Sequence, residues 1–136
     1  MKIEKTTILI VTQSNKPMTY TIYHNPKCSK CRSTLEILNN KGLEPTVVEY
    51  LKNPPSKEEL KGIINKLNIH PSGLFRFKED KAKELGISAN DDFSLEQWLT
   101  IMTENPVLIE RPIVVSKRGA VIGRPPENVF TLVEEK

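Results

Sequence analysis

The stretch Thr21-Ile22-Tyr23-His24-Asn25-Pro26-Lys27-Cys28-Ser29-Lys30-Cys31-Arg32 passes from one structural pattern to another. The apolar run over residues 20–23 indicates a buried strand, and Asn25-Pro26 ends it with a turn. From Ser29 onward, apolar residues recur at helical spacing. The sequence therefore predicts that Cys28 lies where a strand ends and a helix begins.

This position suits a reactive thiol. Unpaired backbone N–H groups and the positive end of the helix dipole favour a thiolate there, and Lys27, Lys30 and Arg32 add positive charge. Cys31 follows at Cys-x-x-Cys spacing, where its thiol could attack a species bonded to Cys28. We interpret Cys28 as a nucleophile and Cys31 as a candidate resolving thiol.

Two plainer interpretations of the cysteines remain open. Cysteine is often a small, buried apolar residue without chemistry. Cys28 and Cys31 could also be half of a zinc site. The sequence has no further cysteine, and His24 and His70 are its only histidines. We therefore expect no metal site.

The composition is that of one globular domain without strong charge. The chain has 136 residues, long enough for a hydrophobic core, and its net charge is +3 with acidic and basic residues interleaved. This gives no case for binding nucleic acid or a membrane. The apolar run Ile8-Leu9-Ile10-Val11 is too short for a signal peptide or a membrane span. Two cysteines make no disulfide framework, so we expect a cytoplasmic location.

The remaining patterns predict an α/β fold of order β-α-β, a helical insertion, then β-β-α. After the first strand we expect a helix over 29–41, a second strand over 45–50, and a hairpin of strands over 113–115 and 120–122 before a last helix. A strand, a helix and a strand in so short a span imply a parallel pair with a right-handed crossover.

The helical insertion is expected over about residues 52–106. Ser56 and Ser94 open capping boxes, with Glu59 and Gln97 three residues later. An apolar stripe at helical spacing follows each capping box and predicts a side that faces the core. The stripes comprise Leu60, Ile63, Ile64 and Leu67 in one helix and Leu95, Trp98, Leu99 and Met102 in the other. In the last helix, Val129, Phe130 and Val133 are expected to face inward.

Residues 1–18 are expected to be an N-terminal extension to a domain that spans 19–136. Thr6–Thr12 has the composition of a strand, but a loose polar segment separates it from Met18. We hypothesise that the natural chain begins at Met18 and that the extension is not native. The alternative is an additional edge strand.

Three arginines stand at junctions between loops and elements: Arg76, Arg111 and Arg124. Arg111 and Arg124 precede prolines, which favour extended backbone. In the predicted fold, the loop before the third strand approaches the end of the first strand and therefore Cys28. A guanidinium is planar, permanently charged and able to bind two oxygens of a tetrahedral anion. The plainer interpretation is a set of surface arginines with solvated tips.

The order of elements, with Cys-x-x-Cys after the first strand, resembles the thioredoxin fold. That resemblance implies a cis proline before the third strand, facing the cysteines, at Pro112. More specifically, the sequence resembles the ArsC family of glutaredoxin-linked arsenate reductases. The matching segments are Tyr23-His24-Asn25-Pro26-x-Cys28, Glu44-Pro45-Thr46-Val47-Val48, Tyr50-Leu51, Pro54-Pro55, Glu84-Leu85-Gly86, Arg111-Pro112-Ile113-Val114-Val115 and Gly123-Arg124-Pro125.

The family resemblance implies reduction of arsenate to arsenite. It implies that Cys28 attacks arsenate, that Arg76, Arg111 and Arg124 bind the oxyanion, and that His24 helps to keep the cysteine ionised. A packed, hydrogen-bonded imidazole is the alternative for His24. Glutathione is the implied co-substrate, glutaredoxin or thioredoxin the implied electron donor, and no bound cofactor is expected.

Cys31 leaves other functions open, because the family usually lacks a cysteine there. An internal Cys28–Cys31 disulfide could replace part of the glutathione cycle. Spx-type transcription regulators share the fold and bind RNA polymerase, and their Cys-x-x-Cys-Arg stretch resembles residues 28–32. Gly123-Arg124-Pro125 favours the reductases over these regulators. A general thiol–disulfide oxidoreductase is the third possibility.

Overall fold

The computed structural model describes residues 19–133, in which a four-stranded mixed sheet has the order β2-β1-β3-β4. The strands are Tyr20–His24 (β1), Thr46–Glu49 (β2), Ile113–Ser116 (β3) and Gly119–Ile122 (β4). β1 pairs in parallel with β2 and antiparallel with β3, and β3 and β4 form an antiparallel hairpin. The predicted α/β arrangement is confirmed.

The helices of this region are Ser29–Asn40 (α1), Lys57–Leu67 (α2), Asp80–Leu85 (α3), Leu95–Glu104 (α4) and Phe130–Val133 (α5). Three 3₁₀ turns, each starting with a proline, are Pro71–Leu74, Pro106–Leu108 and Pro126–Val129. Proline fits the first position of such a turn because its fixed φ suits it and its missing N–H would have had no partner there.

Both predicted capping boxes are present. The Ser56 hydroxyl accepts from the Glu59 backbone N–H at 3.1 Å, and the Glu59 carboxylate accepts from the Ser56 N–H at 2.9 Å. Ser94 and Gln97 make the same reciprocal pair at the start of α4. These bonds satisfy two backbone donors at each helix start and set where α2 and α4 begin.

A hydrophobic cluster packs on each face of the sheet. Successive residues of a strand point to opposite faces, so Ile113 belongs to one cluster and Val114 to the other. The cluster containing Ile113 is built largely by the helical insertion around Trp98, which is fully buried. The cluster containing Val114 includes Leu38 of α1. α1 therefore packs against the sheet on the face opposite the insertion.

Two expectations about inward-facing residues are wrong. Leu95 is 37% exposed, because it is the first residue of α4 and lies ahead of the turn that packs through Trp98. In the last helix, Val133 is half-buried and packs against the core as expected, whereas Phe130 is half-buried and belongs to neither cluster, and Leu132 is buried instead. That segment starts as a 3₁₀ turn with three residues per turn, which changes the face that each later residue occupies.

The predicted strand Thr6–Thr12 and Met18 lie outside the described residues, so the interpretation of residues 1–18 stays a prediction. The domain boundary after residue 18 stays a prediction as well. Across residues 19–133, none of the helices has both the length and the apolar character needed to cross a membrane.

Candidate active site

Cys28 is the N-cap residue of α1. Its N–H donates to the Asn25 carbonyl at 2.9 Å, which closes the turn after β1, and its carbonyl accepts from the Arg32 N–H at 3.0 Å. The backbone N–H groups of Cys31 and Lys30, in the first turn of the helix, act on its sulfur and lower the pKa of the thiol. The residue is 9% exposed. The strand, turn and helix thus hold one sulfur against the N–H groups of the first helical turn.

These contacts favour the thiolate of Cys28. Burial by itself would raise the pKa of the thiol. Hydrogen bonds from the Cys31 backbone, the Arg111 guanidinium, the Cys31 thiol and the Lys30 backbone outweigh burial and lower the pKa from 9.0 to about 7. A large share of Cys28 is therefore nucleophilic thiolate at neutral pH.

Arg111 and Arg124 both reach the Cys28 sulfur. Arg124 Nη2 lies 3.5 Å from Cys28 Sγ, and Arg124 Nε donates to the Arg111 carbonyl at 2.6 Å. The Arg111 guanidinium donates to the sulfur as well. The Arg111–Pro112 peptide bond is cis, which agrees with the expectation for this position. The Arg124–Pro125 bond is also cis, and sequence reasoning did not anticipate it.

Arg76 joins the same cluster through carboxylates. Its Nε donates to Glu79 at 3.0 Å and its Nη1 to Glu110 at 2.7 Å. Glu79 also lies 3.6 Å from Arg111 Nη1, and Glu110 lies 3.5 Å from Arg124 Nε. Two carboxylates therefore link the three predicted arginines into one network.

A cavity of about 340 Å³ opens beside this network. Its lining residues are Phe75, Arg76, Phe77, Lys78, Glu110 and Arg124. Three of these side chains are cationic and one is anionic, so the cavity carries a positive excess. A small oxyanion fits such a lining because guanidinium groups bind its oxygens by charge-assisted hydrogen bonds.

His24 lies in a different environment. It is 5% exposed, and in the described part of the chain its Nδ1 has no hydrogen-bond partner. Burial lowers the pKa of His24 most, with Glu49 opposing and Arg32 adding to this, so the imidazole is neutral at pH 7. A separate cavity of about 300 Å³ is lined by His24, Asn25, Pro26, Lys27, Glu49, Leu51 and Lys52. His24 is not among the main causes of the Cys28 pKa shift. Its expected role in keeping Cys28 ionised stays a prediction.

Cys31 is completely buried in the first turn of α1. Burial raises the pKa of its thiol to about 12; the backbone of Asn25 acts in the opposite direction, while the charge of Cys28 and the hydrogen bond to it raise the pKa further. Cys31 is therefore a neutral thiol that donates to the Cys28 sulfur.

Sequence reasoning missed three residues of the site. Glu79 carries a local signal, because it lies three residues after Arg76, but Glu110 is 34 residues away from Arg76 and carries none. Tyr50 is buried next to Arg111, and burial raises the pKa of its hydroxyl to about 12. Residues 19–133 contain no group of three or more His, Cys, Asp or Glu side chains arranged to hold a metal ion.

The elements follow the order β-α-β, helical insertion, β-β-α, with a thiolate at the start of the first helix and a cis proline before the third strand. These features define a thiol-dependent protein of thioredoxin-like fold. The chain belongs to the ArsC family, whose family model matches residues 23–132. It is 42% identical over 115 residues to an arsenate reductase of Escherichia coli, which covers 85% of this chain and 81% of that protein.

Two further relatives agree with this assignment. An arsenate reductase of Rhizobium meliloti (strain 1021) is 44% identical over 118 residues, covering 87% of this chain and 84% of that protein. The solved structure of the arsenate reductase from Vibrio cholerae superimposes with a TM-score of 0.82 at 44% identity. That match covers 87% of this chain and all of the other, and it confirms the predicted fold.

Proposed function

We propose that the protein is an arsenate reductase in which Cys28 is the nucleophile. One observation carries the proposal: the Cys28 sulfur, with a pKa near 7, lies 3.5 Å from the guanidinium of Arg124, and Arg124 also lines the cationic cavity. The relatives named arsenate reductase, at 42–44% identity over most of the chain, support the choice of substrate.

The first step is attack of the thiolate on arsenic. Arsenate is a tetrahedral anion, and a soft thiolate readily forms the arsenic–sulfur bond. Cys28 Sγ bonds to arsenic, and one oxygen takes up a proton and leaves as water. Arg111 and Arg124, which both act on the Cys28 sulfur, would hold the oxygens and stabilise charge on the departing one. Arg76 would reach the substrate only by giving up contacts with Glu79 and Glu110.

The second step needs another thiol. A sulfur attacks Cys28 Sγ, the arsenic–sulfur bond breaks, and its electron pair stays on arsenic, which leaves as arsenite. We propose a cytoplasmic cycle in which this sulfur comes either from glutathione as co-substrate or from Cys31, and in which glutaredoxin or thioredoxin restores the thiol.

Replacement of the nucleophile tests the proposal. Cys28→Ser should abolish turnover, because a hydroxyl stays protonated at neutral pH and forms no reducible bond to arsenic. The assay follows arsenate-dependent NADPH oxidation, coupled through glutathione and glutaredoxin or through thioredoxin. Ser33→Ala, at an exposed position of α1, is the matched control and should keep full activity. Absence of turnover by the unaltered protein with both couples would falsify the proposal.

The other two functions predict different results. The comparisons do not favour the Spx-type regulator, since the relatives carry the name of the enzyme. A regulator would retain RNA polymerase in a pull-down. A general thiol–disulfide oxidoreductase would reduce protein disulfides at a rate that arsenate does not inhibit.

A further inference from the structure

We propose that Cys31 is the resolving thiol and that arsenite leaves this protein before any external thiol is consumed. The inference rests on the proposed function and specifies its second step. Cys31 follows Cys28 by three residues at the start of α1, and side chains with this spacing are neighbours on a helix. Cys28 caps α1 and Cys31 lies in its first turn, and a hydrogen bond between the two thiols is among the causes that lower the Cys28 pKa, so the two side chains are neighbours before the reaction.

The difference in exposure fixes the direction of the chemistry. Cys31 has no exposed surface, whereas Cys28 is 9% exposed. Arsenate and external thiols can therefore reach Cys28 and not Cys31. Once Cys28 carries arsenic, Cys31 is the thiol that lies next to it within the protein, in the first turn of α1. An intramolecular thiol in contact with its target has a large advantage over a dissolved one.

The surroundings of Cys31 change when Cys28 reacts. In the resting state the charge of Cys28 and the hydrogen bond to it help to keep Cys31 protonated. Formation of the sulfur–arsenic bond removes that negative charge. The effects of the Asn25 backbone and of Arg111, which both lower the Cys31 pKa, remain. Cys31 is therefore inert before the first step and becomes more acidic, and a better nucleophile, after it.

The step balances without a further reactant. Cys31 Sγ bonds to Cys28 Sγ, the Cys28–arsenic bond breaks, and its electron pair reduces As(V) to As(III). The thiol proton of Cys31 passes to an oxygen of the leaving arsenite. In sum, two thiols and one arsenate give one disulfide, one arsenite and one water.

The buried disulfide partner also selects the class of electron donor. An external thiolate has to attack Cys28, because Cys31 is out of reach, and this frees Cys31. If the donor has one thiol, Cys31 attacks the mixed disulfide again and expels it. If the donor has a second thiol nearby, that thiol releases the reduced protein. The geometry thus favours a dithiol donor over a monothiol such as glutathione.

A single-turnover experiment without reductant tests the inference. Fully reduced protein is freed of reductant under anaerobic conditions, mixed with excess arsenate and quenched with an alkylating agent. We expect about one arsenite per chain and a Cys28–Cys31 disulfide in unreduced peptide maps. Cys31→Ser and Cys31→Ala should each release less than about a tenth of this amount without a thiol. Two replacements are used because the site is buried, and Ser33→Ala should match the unaltered protein.

The outcomes separate this inference from the proposed function. If the unaltered protein makes arsenite only after glutathione is added, or if both Cys31 variants match it without thiol, Cys31 is not the resolving thiol and the reductase assignment stands. If it makes no arsenite with glutathione, glutaredoxin, thioredoxin or dithiothreitol, the reductase assignment itself fails. Faster reduction of the disulfide by dithiothreitol than by 2-mercaptoethanol at equal thiol concentration supports the dithiol donor, and equal rates contradict it.

Discussion

Single residues of the proposed oxyanion site are already paired with one another. Arg76 forms ion pairs with two carboxylates, at 3.0 Å to Glu79 and 2.7 Å to Glu110. Glu110 also lies 3.5 Å from Arg124, the arginine that reaches Cys28. These carboxylates fix the guanidinium groups in place, and they also compete with an anionic substrate for the same donors. The affinity for arsenate should therefore depend on the charge of Glu110.

Glu110→Gln is expected to strengthen arsenate binding. The amide keeps an oxygen that can accept from Arg76 but removes the negative charge, so the site gains one net positive charge. We expect KM for arsenate to fall by about two- to fivefold, the scale of one partly exposed ion pair, with kcat little changed. Initial-rate kinetics measure both values, and inhibition by phosphate should tighten in parallel.

Glu96→Gln is the control for this charge change. Glu96 pairs with Lys57 at 2.7 Å on the exposed surface of the insertion, away from Cys28. Glu96→Gln removes one negative charge, as Glu110→Gln does, and should leave KM for arsenate unchanged. A KM that rises in Glu110→Gln would mean that Glu110 acts mainly by positioning Arg76, and the competition argument would then be wrong.

Three elements of the fold meet at Gly123, which follows β4. A Cβ at this position would lie 2.6 Å from Thr34 Oγ1 of α1 and 2.9 Å from Pro112 Cγ. The Gly123 N–H donates to the Pro112 carbonyl at 2.9 Å. The absence of a side chain therefore lets α1, the loop before β3 and the end of β4 touch. The close packing at Gly123 positions the next residue, Arg124, so that its guanidinium lies next to the Cys28 sulfur.

Gly123→Ala is expected to weaken both the fold and the site. The added methyl overpacks the junction, which should lower the free energy of unfolding by about 1–3 kcal/mol. Displacement of Arg124 should lower kcat/KM for arsenate by about tenfold, since guanidinium contacts to the oxyanion depend on geometry. Denaturant titration and initial rates test the two effects separately.

Gly62→Ala provides the matched control. Gly62 lies inside α2, and a Cβ there meets nothing within 4 Å. Alanine should raise the stability by up to about 1 kcal/mol through helix propensity and leave the kinetics unchanged. If Gly123→Ala behaves like Gly62→Ala, the junction is not tightly packed and Arg124 does not depend on it.

The elements that sequence reasoning predicted are those with local signals. The junction of β1, Cys28 and α1 follows from an apolar run, a turn dipeptide and helical spacing, and the capping boxes at Ser56 and Ser94 follow from residues three apart. The Pro126–Val129 turn was predicted as α-helix because proline starts either kind of helix. Leu95 was misplaced because periodicity assigns a face and ignores how far the neighbouring elements extend.

The candidate site was less predictable, because its contacts are long-range. The order of elements predicts that the loop carrying Arg111 approaches Cys28, and the Arg111 guanidinium does act on the Cys28 sulfur. Arg76 was expected to bind substrate directly, yet its contacts in the structure are to Glu79 and Glu110, and no pattern in the sequence relates Arg76 to Glu110. The pairing of Glu110 with the arginines can be recognised only from the three-dimensional structure, which brings the segments of Arg76 and Glu110 together.

At the scale of the whole molecule, the active site and the stability of the fold are linked. Both faces of the sheet carry a hydrophobic cluster, and the two inner strands β1 and β3 contribute to both. Cys28 follows directly after β1, so its environment exists only when the sheet and α1 are formed together. A proton that binds differently to the folded and unfolded chain must therefore appear in the global free energy of unfolding.

Cys28 should make the fold more stable as the pH rises from 7 to 9. Its pKa is about 7 in the folded protein and 9.0 for a free thiol, so the unfolded chain holds the extra proton between these values. The contribution is complete above pH 9 and is lost as the pH falls through 7. A difference of this size corresponds to at most about 2.7 kcal/mol, which screening by solvent near the site reduces to about 1 kcal/mol.

The other shifted groups act outside this window, which makes the prediction testable. The lowered pKa of His24 destabilises the fold only below about pH 6.5, and the raised pKa of Cys31 destabilises it only above pH 9. Urea titrations in a non-thiol reductant should therefore show an increase of about 1 kcal/mol from pH 7 to 9 in the unaltered protein and a flat profile in Cys28→Ser. Cys31→Ser should keep most of the increase, since the Arg111 and backbone contacts to Cys28 remain. An increase that survives in Cys28→Ser would assign the linked proton to another group and remove the electrostatic basis for a reactive thiolate at this helix start.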